Sequence, residues 1–567
     1  MLPSQRTTLA TSRTSTAWIP SSASSLLTRS SSTPVSPPDL PPSEQDASPP
    51  QEEEDDNRLD YDWKNQWYAL TYESYIPDPS RSSEVTPAAV FGEPLVLWRE
   101  KKNGVIYCAA DRCPHRAAAL SEGRLRDGQL YCLYHGWQFS GEQQGACTKI
   151  PQLLRSNTTT TVIPQRACLD MKTCRVDEGI VWVWMGSSSS SDPPTRDVPR
   201  TGVVGTKGWN VYDFMIDLPY DHSFLVENLL DPAHIAISHD RTPGGGKRED
   251  AAAYDMHVDT DSINADGFTG KFRLSTKTDG PFANFTFEAP GIVRNEVRGT
   301  LPNGKEFGFG AGLHCMPVAL GRSRLFFRIY NTGLPKLVTF LVQLKPTWLR
   351  HLNSCKVLEQ DVGLITTQED HFARRPDRPL SKDYLLLKTS DTYVKAYRQW
   401  LDRVGHGMPW FQGLATKSPA TSTALVGAAT PSSVVPPGLA AAQHRASNQD
   451  VVETRYHRHV MHSPVTRTAL RNVKRLKRAG LLVAGVSWTT VCALLLPVLR
   501  ATADASTTTT TIPARRTTLL LLRAFRVATG AFPIGVVMAT AMHFLEKEFH
   551  VSFKRRNQLR VESGLVP

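Results

Sequence analysis

The sequence predicts an α+β fold in three parts: an all-β N-terminal domain, an α+β domain built on an antiparallel sheet, and two C-terminal transmembrane helices. Three observations predict it. Short alternating apolar runs between turns fill residues 63–186 and close on Ile180-Val-Trp-Val-Trp-Met. An alternating phase returns at Phe268, Phe272 and Leu274, at Phe285 and Phe287, and at Leu325, Phe327 and Ile329, as in an antiparallel sheet with one face buried. Two uncharged stretches near the C-terminus, 479–499 and 527–545, have the length of a bilayer core.

At 567 residues the chain is too long for one ordinary domain. Residues 1–57 carry no core. The first 38 are rich in Ser and Thr, contain Arg6, Arg13 and Arg29 and no acidic residue, which is the composition of an organellar transit peptide; a disordered tail would look the same. Residues 39–57 are Pro-rich and then acidic (Glu52 to Asp56), a linker. Residues 58–190 form the β domain, with order starting near Tyr61. In it Val96 with Trp98 and Val105 with Tyr107 alternate as half-buried strands do. The Ser-rich run 187–192, then Pro193 and Pro194, mark a boundary. Residues 205–412 form the α+β domain, with helices expected over 221–239 and 355–370. Residues 413–450, rich in Ala, Ser, Thr and Pro, form a flexible linker.

Residues 451–567 form a basic membrane-anchor region. The run 479–499 has 21 residues, about 31 Å as a helix, and 527–545 has 19, about 28 Å, with His543 its only strongly polar member. The alternative for each is a buried core helix. Arg471, Lys474, Arg475, Lys477 and Arg478 sit just before the first run and hold much of the excess behind the net charge of +11. A basic strip beside an apolar run fits a membrane surface better than nucleic acid, so no nucleic-acid partner is expected. Two spans return the chain to its starting side, so the soluble domains and the tail (Lys554, Arg555, Arg556) share one face. Nine cysteines without an even framework, and no secretory signal peptide, suit a reducing compartment.

Chemistry-bearing residues occur in two clusters. Cys113-Pro-His115 and Cys132-Leu-Tyr-His135 are C-x-H and C-x-x-H pairs, with sixteen residues between His115 and Cys132. Thiolate and imidazole together suit zinc or iron. A zinc finger usually puts its cysteines in one pair and its histidines in the other, whereas here each pair holds one of each. A Rieske [2Fe–2S] centre needs two cysteines on one iron and two histidines on the other, so two loops that each give one of each can grip it from both sides. The remaining alternative is an interleaved structural zinc site.

The second cluster is Glu227-Asn-Leu-Leu-Asp231-Pro-Ala-His234-Ile-Ala-Ile-Ser-His239. Histidines five apart are rotated by about 140° on a regular helix, so both can face one ion only if the helix ends or distorts between them. Pro232 can begin a new turn. Two histidines and a carboxylate make the facial triad of non-haem Fe(II) oxygenases, which leaves positions open for O2. Asp361 is the expected carboxylate, because Leu358, Leu364 and Ile365 flank it at helical spacing; Glu359, Glu369 and Asp370 compete with it.

Taken together, the two motifs resemble a Rieske non-haem iron oxygenase. The finer likeness is to the plastid group of pheophorbide a oxygenase, chlorophyllide a oxygenase and the Rieske component of the Tic import machinery. It is carried by CPHRAAALSEGR, LYCLYHGW, Ile150-Pro-Gln152, and Leu218-Pro-Tyr-Asp221 leading into LVENLLDPAH, and covers roughly 60–410. The two-span tail resembles that of the pheophorbide oxygenase group.

The resemblance implies a [2Fe–2S] cluster on Cys113, His115, Cys132 and His135, and mononuclear Fe(II) on His234, His239 and Asp361. It implies a catalytic role for Asp231, between the metal centres of adjacent subunits, accepting hydrogen bonds from ligand imidazoles and coupling electron transfer to proton state. A helix N-cap role is the plainer alternative, and Asp231 could serve as both. The resemblance also implies a homotrimer, O2 as co-substrate, a ferredoxin-type donor and a chlorophyll-derived tetrapyrrole substrate, pheophorbide a first. Chlorophyllide a oxygenase-like activity and a redox role in plastid import are the alternatives. The expected location is a chloroplast membrane, inner envelope or thylakoid, with the catalytic domains facing the stroma. Phe282, Phe285, Phe287, Phe326 and Phe327 could line a tetrapyrrole slot; as alternating strand residues they otherwise pack as core. There is one departure. The group usually carries a C-x-x-C after a His-rich stretch, and in Arg455-Tyr-His-Arg-His-Val-Met-His-Ser463-Pro-Val-Thr466 the cysteines are replaced by Ser463 and Thr466, which cannot form a disulfide.

Overall fold

The computed structural model describes residues 58–552 apart from 154–161, 187–193, 195, 243–244, 277–279, 301–303, 305, 376–377, 417–453 and 505–514. The expected transit segment and linker over 1–57, and nearly all of the linker 413–450, lie outside the described residues.

The alternating runs of the first part become eleven strands in three sheets. β1 (Trp67–Tyr72), β11 (Ile180–Trp184) and β10 (Cys174–Asp177) form the first, with β11 in the middle. β2 (Thr86–Val90), β3 (Glu93–Arg99), β4 (Ile106–Ala110) and β9 (Met171–Lys172) form the second. β5 (Arg124–Arg126), β6 (Gln129–Tyr131), β7 (Gln138–Phe139) and β8 (Cys147–Lys149) form the third. Every residue of β11 is buried, because it is paired on both edges and covered on both faces. The first Cys-His motif follows β4, and the second is the β6–β7 connection.

The second part is one seven-stranded antiparallel sheet in the order β12-β18-β17-β16-β15-β14-β13. Its strands are β12 (Asn210–Leu218), β13 (Tyr254–Val258), β14 (Gly267–Leu274), β15 (Ala283–Glu288), β16 (Ile292–Thr300), β17 (Glu306–Ala319) and β18 (Arg322–Thr332). Along β12 the faces alternate. Phe214, Ile216 and Leu218 join the core under the helices, while Met215 joins Trp67, Trp182 and Phe326 in the core shared with the first part. The β12–β18–β17 end is therefore buried on both faces, where the sequence pattern suggested one. Two buried arginines tie the parts together. Arg324 forks onto Asp217 and donates to the Leu70 carbonyl at 2.7 Å; Arg328 forks onto Asp213 and reaches Glu178.

The helices cover one face. α1 (His222–Leu230) and the short α2 (Ile235–Ser238) take the place of the single helix expected over 221–239; α1 stops at the Asp231-Pro232 step. α3 (Lys336–Leu344) precedes α4 (Thr347–Ala373), which is longer at both ends than the expected 355–370. α5 (Thr392–Val404) stacks Tyr393 on Phe285 at 4.2 Å and brings Trp400 edge-on to Phe287. Tyr61 and Trp63, ahead of β1, pack into this core rather than among the first sheets, and the Trp63 indole N–H donates to Val404 O at 2.8 Å.

At the C-terminus α6 (Pro464–Asp504) and α7 (Arg515–Glu548) form a hairpin that contains both uncharged runs. Pro464–Pro497 and Leu519–Glu548 are long and apolar enough to cross a membrane, and few of their residues are buried, unlike a core helix. They meet through Gly480 and Gly535, where an added Cβ would stand 2.8 Å and 2.7 Å from the other helix's carbonyl oxygens, flanked by Ala484 and Ala539. Below the hairpin, Leu352, Val460, Ala469, Leu470, Val473 and Phe549 form a separate small core.

Candidate metal centres

Each Cys-His loop folds on backbone hydrogen bonds. Cys113 N–H donates to Ala118 O at 2.8 Å and Ala117 N–H returns to Cys113 O at 2.9 Å; in the second loop Cys132 N–H donates to Trp137 O and Gly136 N–H to Cys132 O, both at 2.9 Å. Gly136 has φ +78, and a Cβ there would stand 2.9 Å from the Tyr131 hydroxyl, so glycine is needed twice over. The two thiols are buried, at 3 and 2 % exposure, while the imidazoles sit at the rim with ring centroids 4.6 Å apart. His115 stacks on Trp137 at 4.7 Å, which orients its ring, and Gln152 Nε2 donates to the His135 backbone carbonyl at 2.7 Å, which ties down the second loop. Burial, with Cys132 beside it, pushes the Cys113 thiol up to about 11. The Cys113 thiol would stay protonated unless a cation is present to hold it as a thiolate, and with Cys132 facing it and two imidazoles at the rim these four side chains fit a [2Fe–2S] cluster.

The second cluster forms where α1 gives way to α2. His234 lies at the start of α2 and His239 at its end, so one short helix between them supplies the distortion that the spacing required. Their rings are 5.3 Å apart. Asp361 reaches them from α4, with Oδ2 3.1 Å from His239 Nε2 and 3.6 Å from His234 Nε2. The three ligand atoms lie within 4.8 Å of one another. Ligands bonded at about 2.1 Å and at right angles stand about 3 Å apart, so the set suits one ion. Asp361 is only 3 % exposed. Burial alone would raise its carboxyl, but the hydrogen bond to His239 and the charge of His234 outweigh it and hold it below the usual carboxylate range.

Two of the three competing carboxylates, Glu359 and Glu369, are engaged elsewhere. Glu359 accepts from Arg455 and Arg458, and Glu369 accepts the Asp221 backbone N–H. Asp231 accepts from Ala233 N–H at 2.7 Å, capping the turn that carries His234, and its other oxygen is 3.5 Å from His234 Nδ1. Burial lowers His234, but Asp231 and Asp361 more than compensate, leaving it above its usual value.

Sequence reasoning missed Gln360, whose Oε1 lies 3.0 Å from His239 Nδ1 and turns Nε2 toward Asp361. Its adjacency to Asp361 was the only signal. It also missed the Glu227 network behind the site, where Arg398, Tyr384 and Gln368 all donate to one buried carboxylate; nothing in the sequence pairs Glu227 with a residue 171 positions away.

A cavity of about 550 Å³ opens beside His234 and Asp361, walled by Phe224, Leu364, Ile365, Phe372, Tyr384 and Val394. None of the five phenylalanines weighed for a substrate slot lines it. Phe285, Phe287 and Phe326 are buried in the cores, Phe327 is packed against one, and Phe282 lies under Arg273 at 4.2 Å. Strand side chains pack into the sheet's own layers, and the cavity walls come mostly from helices. Ser463 and Thr466 are fully buried with their hydroxyls 3.0 Å apart, next to His351 and His459.

Two family models match the chain: the Rieske [2Fe-2S] domain over residues 66–163 and pheophorbide a oxygenase over residues 287–378. The fold and the metal-binding side chains thus define a Rieske non-haem iron oxygenase. Protein TIC 55 of Pisum sativum is 37 % identical over 76 % of this chain and 76 % of its own length. Pheophorbide a oxygenase of Arabidopsis thaliana is 29 % identical over 65 % and 69 %, and chlorophyllide a oxygenase of Chlamydomonas reinhardtii 27 % over 60 % and 48 %. Dicamba monooxygenase is 19 % identical with a TM-score of 0.46, covering 59 % of this chain and 96 % of that one. The chain belongs to the plastid Rieske oxygenase family that includes Tic 55, pheophorbide a oxygenase and chlorophyllide a oxygenase.

Proposed function

We propose that this chain is a membrane-tethered plastid oxygenase that uses O2 and electrons from a reduced ferredoxin to oxygenate a chlorophyll-derived tetrapyrrole, with pheophorbide a the first ring to test. One observation carries the reading: two imidazoles and a buried carboxylate converge at the wall of a cavity. A cluster on Cys113, His115, Cys132 and His135 would relay single electrons, and iron on His234, His239 and Asp361 would offer open positions for reductive O2 activation. The rest is done by the chain. Asp361 balances cation charge in a buried place, Gln360 fixes the tautomer of His239, and Asp231 does the same for His234. In the assembled homotrimer Asp231 would also face the cluster of the adjacent subunit. The apolar part of the cavity wall, from Phe224 to Val394, would bear on a flat apolar ring. The hairpin would anchor the protein in the inner envelope or thylakoid, with the metal centres on the stromal side.

A second reading, a redox component of the plastid import machinery, is supported by the likeness to Tic 55. A pure electron carrier has no need of His234, His239 and Asp361, which favours the oxygenase. The test is anaerobic reduction followed by mixing with O2 and a panel of chlorophyll breakdown pigments, with products read by mass. His234→Ala is expected to keep the cluster's visible spectrum and lose all O2-dependent product; product formation by that variant would sink the triad.

A further inference from the structure

Helix α3 carries a large exposed apolar surface. Thr339 and Gln343, two polar side chains one turn apart, line a cleft with Asn210, Thr332, Leu334 and Phe340 at the sheet edge. Much of its apolar surface is exposed: Leu337, Leu341 and Leu344 are 67, 54 and 60 % exposed, and Phe340, at the rim of the cleft, is 56 % exposed. No charge falls between Lys336 and Lys345. A water-facing helix turns its apolar stripe inward, and a contiguous exposed apolar patch marks a contact surface.

The position of α3 identifies what it contacts. Along α4 the contacts climb the anchor. Glu359 meets Arg455 and Arg458, ahead of α6; Lys356 meets Glu548, at the end of α7; Leu352 packs with Ala469, Leu470 and Val473; and Trp348 stacks on Phe549 at 5.8 Å. Only Lys345, Pro346 and Thr347 separate Trp348 from α3. The helix therefore continues from the end of α4 that abuts the hairpin, whose Arg471, Arg475 and Arg478 are exposed.

We propose that α3 lies in the plane of the membrane surface, with its Leu337–Leu341–Leu344 face among the acyl chains and Lys345 at the headgroups. The soluble part is then held to a lipid bilayer at a second point, next to the spans. In-plane helices bind by this combination of apolar face and flanking cations. The inference rests on reading α6 and α7 as membrane-spanning.

The full chain in nanodiscs of mixed neutral and anionic lipid tests it, with a photoreactive benzophenone amino acid placed singly at Leu341, at Val486 in the first span, or at Val176 in the β domain. All three side chains are exposed, so folding is preserved. Lipid adducts at 341 and 486 and none at 176 are expected. Adducts at 486 without any at 341 would overturn the α3 contact and leave the spans standing. Absence at both would overturn the spans and the contact together. Adducts from 341 to a second copy of the chain would assign the face to an oligomer interface and also overturn the proposal.

Discussion

Replacing Gln360 by Leu removes one hydrogen bond and nothing else at the proposed His234–His239–Asp361 iron site. Gln360 Oε1 lies 3.0 Å from His239 Nδ1, and His239 is only 6 % exposed. Without that acceptor the imidazole can rotate, or take the tautomer that turns a proton toward Asp361. Loss of such an outer partner weakens metal binding by about 10- to 100-fold. Gln360 itself is exposed, so water can stand in for part of the lost bond. The expected loss is therefore at the low end, about tenfold or about 1.4 kcal/mol. Anaerobic Fe(II) titration against a competing chelator reads it, with the cluster's visible spectrum as an internal control for folding. Gln360→Glu restores an acceptor and is expected to return affinity to within a few-fold of the parent. Unchanged Fe(II) affinity in Gln360→Leu would refute the reasoning, as would equal loss in both variants.

Arg398 is fully buried against Glu227, so Arg398→Met leaves an unpaired buried carboxylate; we expect a loss of about 3–5 kcal/mol in stability, read by chemical denaturation, and a loss near zero would show that Glu227 is neutral without its partner. Burial, helped by Arg294 and Arg328, pushes His314 down to about 3, and neither of its ring nitrogens has a hydrogen-bond partner among the described residues. The unfolded chain binds its proton near pH 6.5 while the folded chain refuses it, so stability falls as pH drops through that value; from pH 7 to 5 the loss is about 2 kcal/mol, and His314→Gln should flatten the pH dependence of the melting temperature. Ser463→Cys with Thr466→Cys places two thiols where hydroxyls stand 3.0 Å apart; the double variant is expected to form a disulfide on oxidation, read as the loss of two titratable thiols, and the pair staying reduced would show that the foot of α6 is too rigid.

How much was legible in the sequence differs from element to element. The meeting of Cys113, His115, Cys132 and His135 was legible because they come from two short loops, where spacing in sequence nearly fixes spacing in space. The break ahead of His234 was legible for a similar reason: helical rotation forbids one continuous helix through both histidines, and Pro232 marks the place where α1 stops. The anchor showed because length and absence of charge are all a bilayer asks of a helix. The substrate wall did not show. Periodicity reports that Phe285 and Phe287 face inward, but not whether a helix or a ligand covers them, and α5 covers them.

Sequence alone determined the two Cys-His loops, the His234–His239 spacing, the antiparallel sheet and the two long apolar helices, since each rests on local spacing or on period. Tertiary structure alone decided which carboxylate meets the histidines, because Asp361 and Glu359 are two residues apart on one helix and point to different neighbours. It also brought Glu227 to Arg398 and turned the apolar face of α3 outward. These are long-range pairings, set by how layers pack.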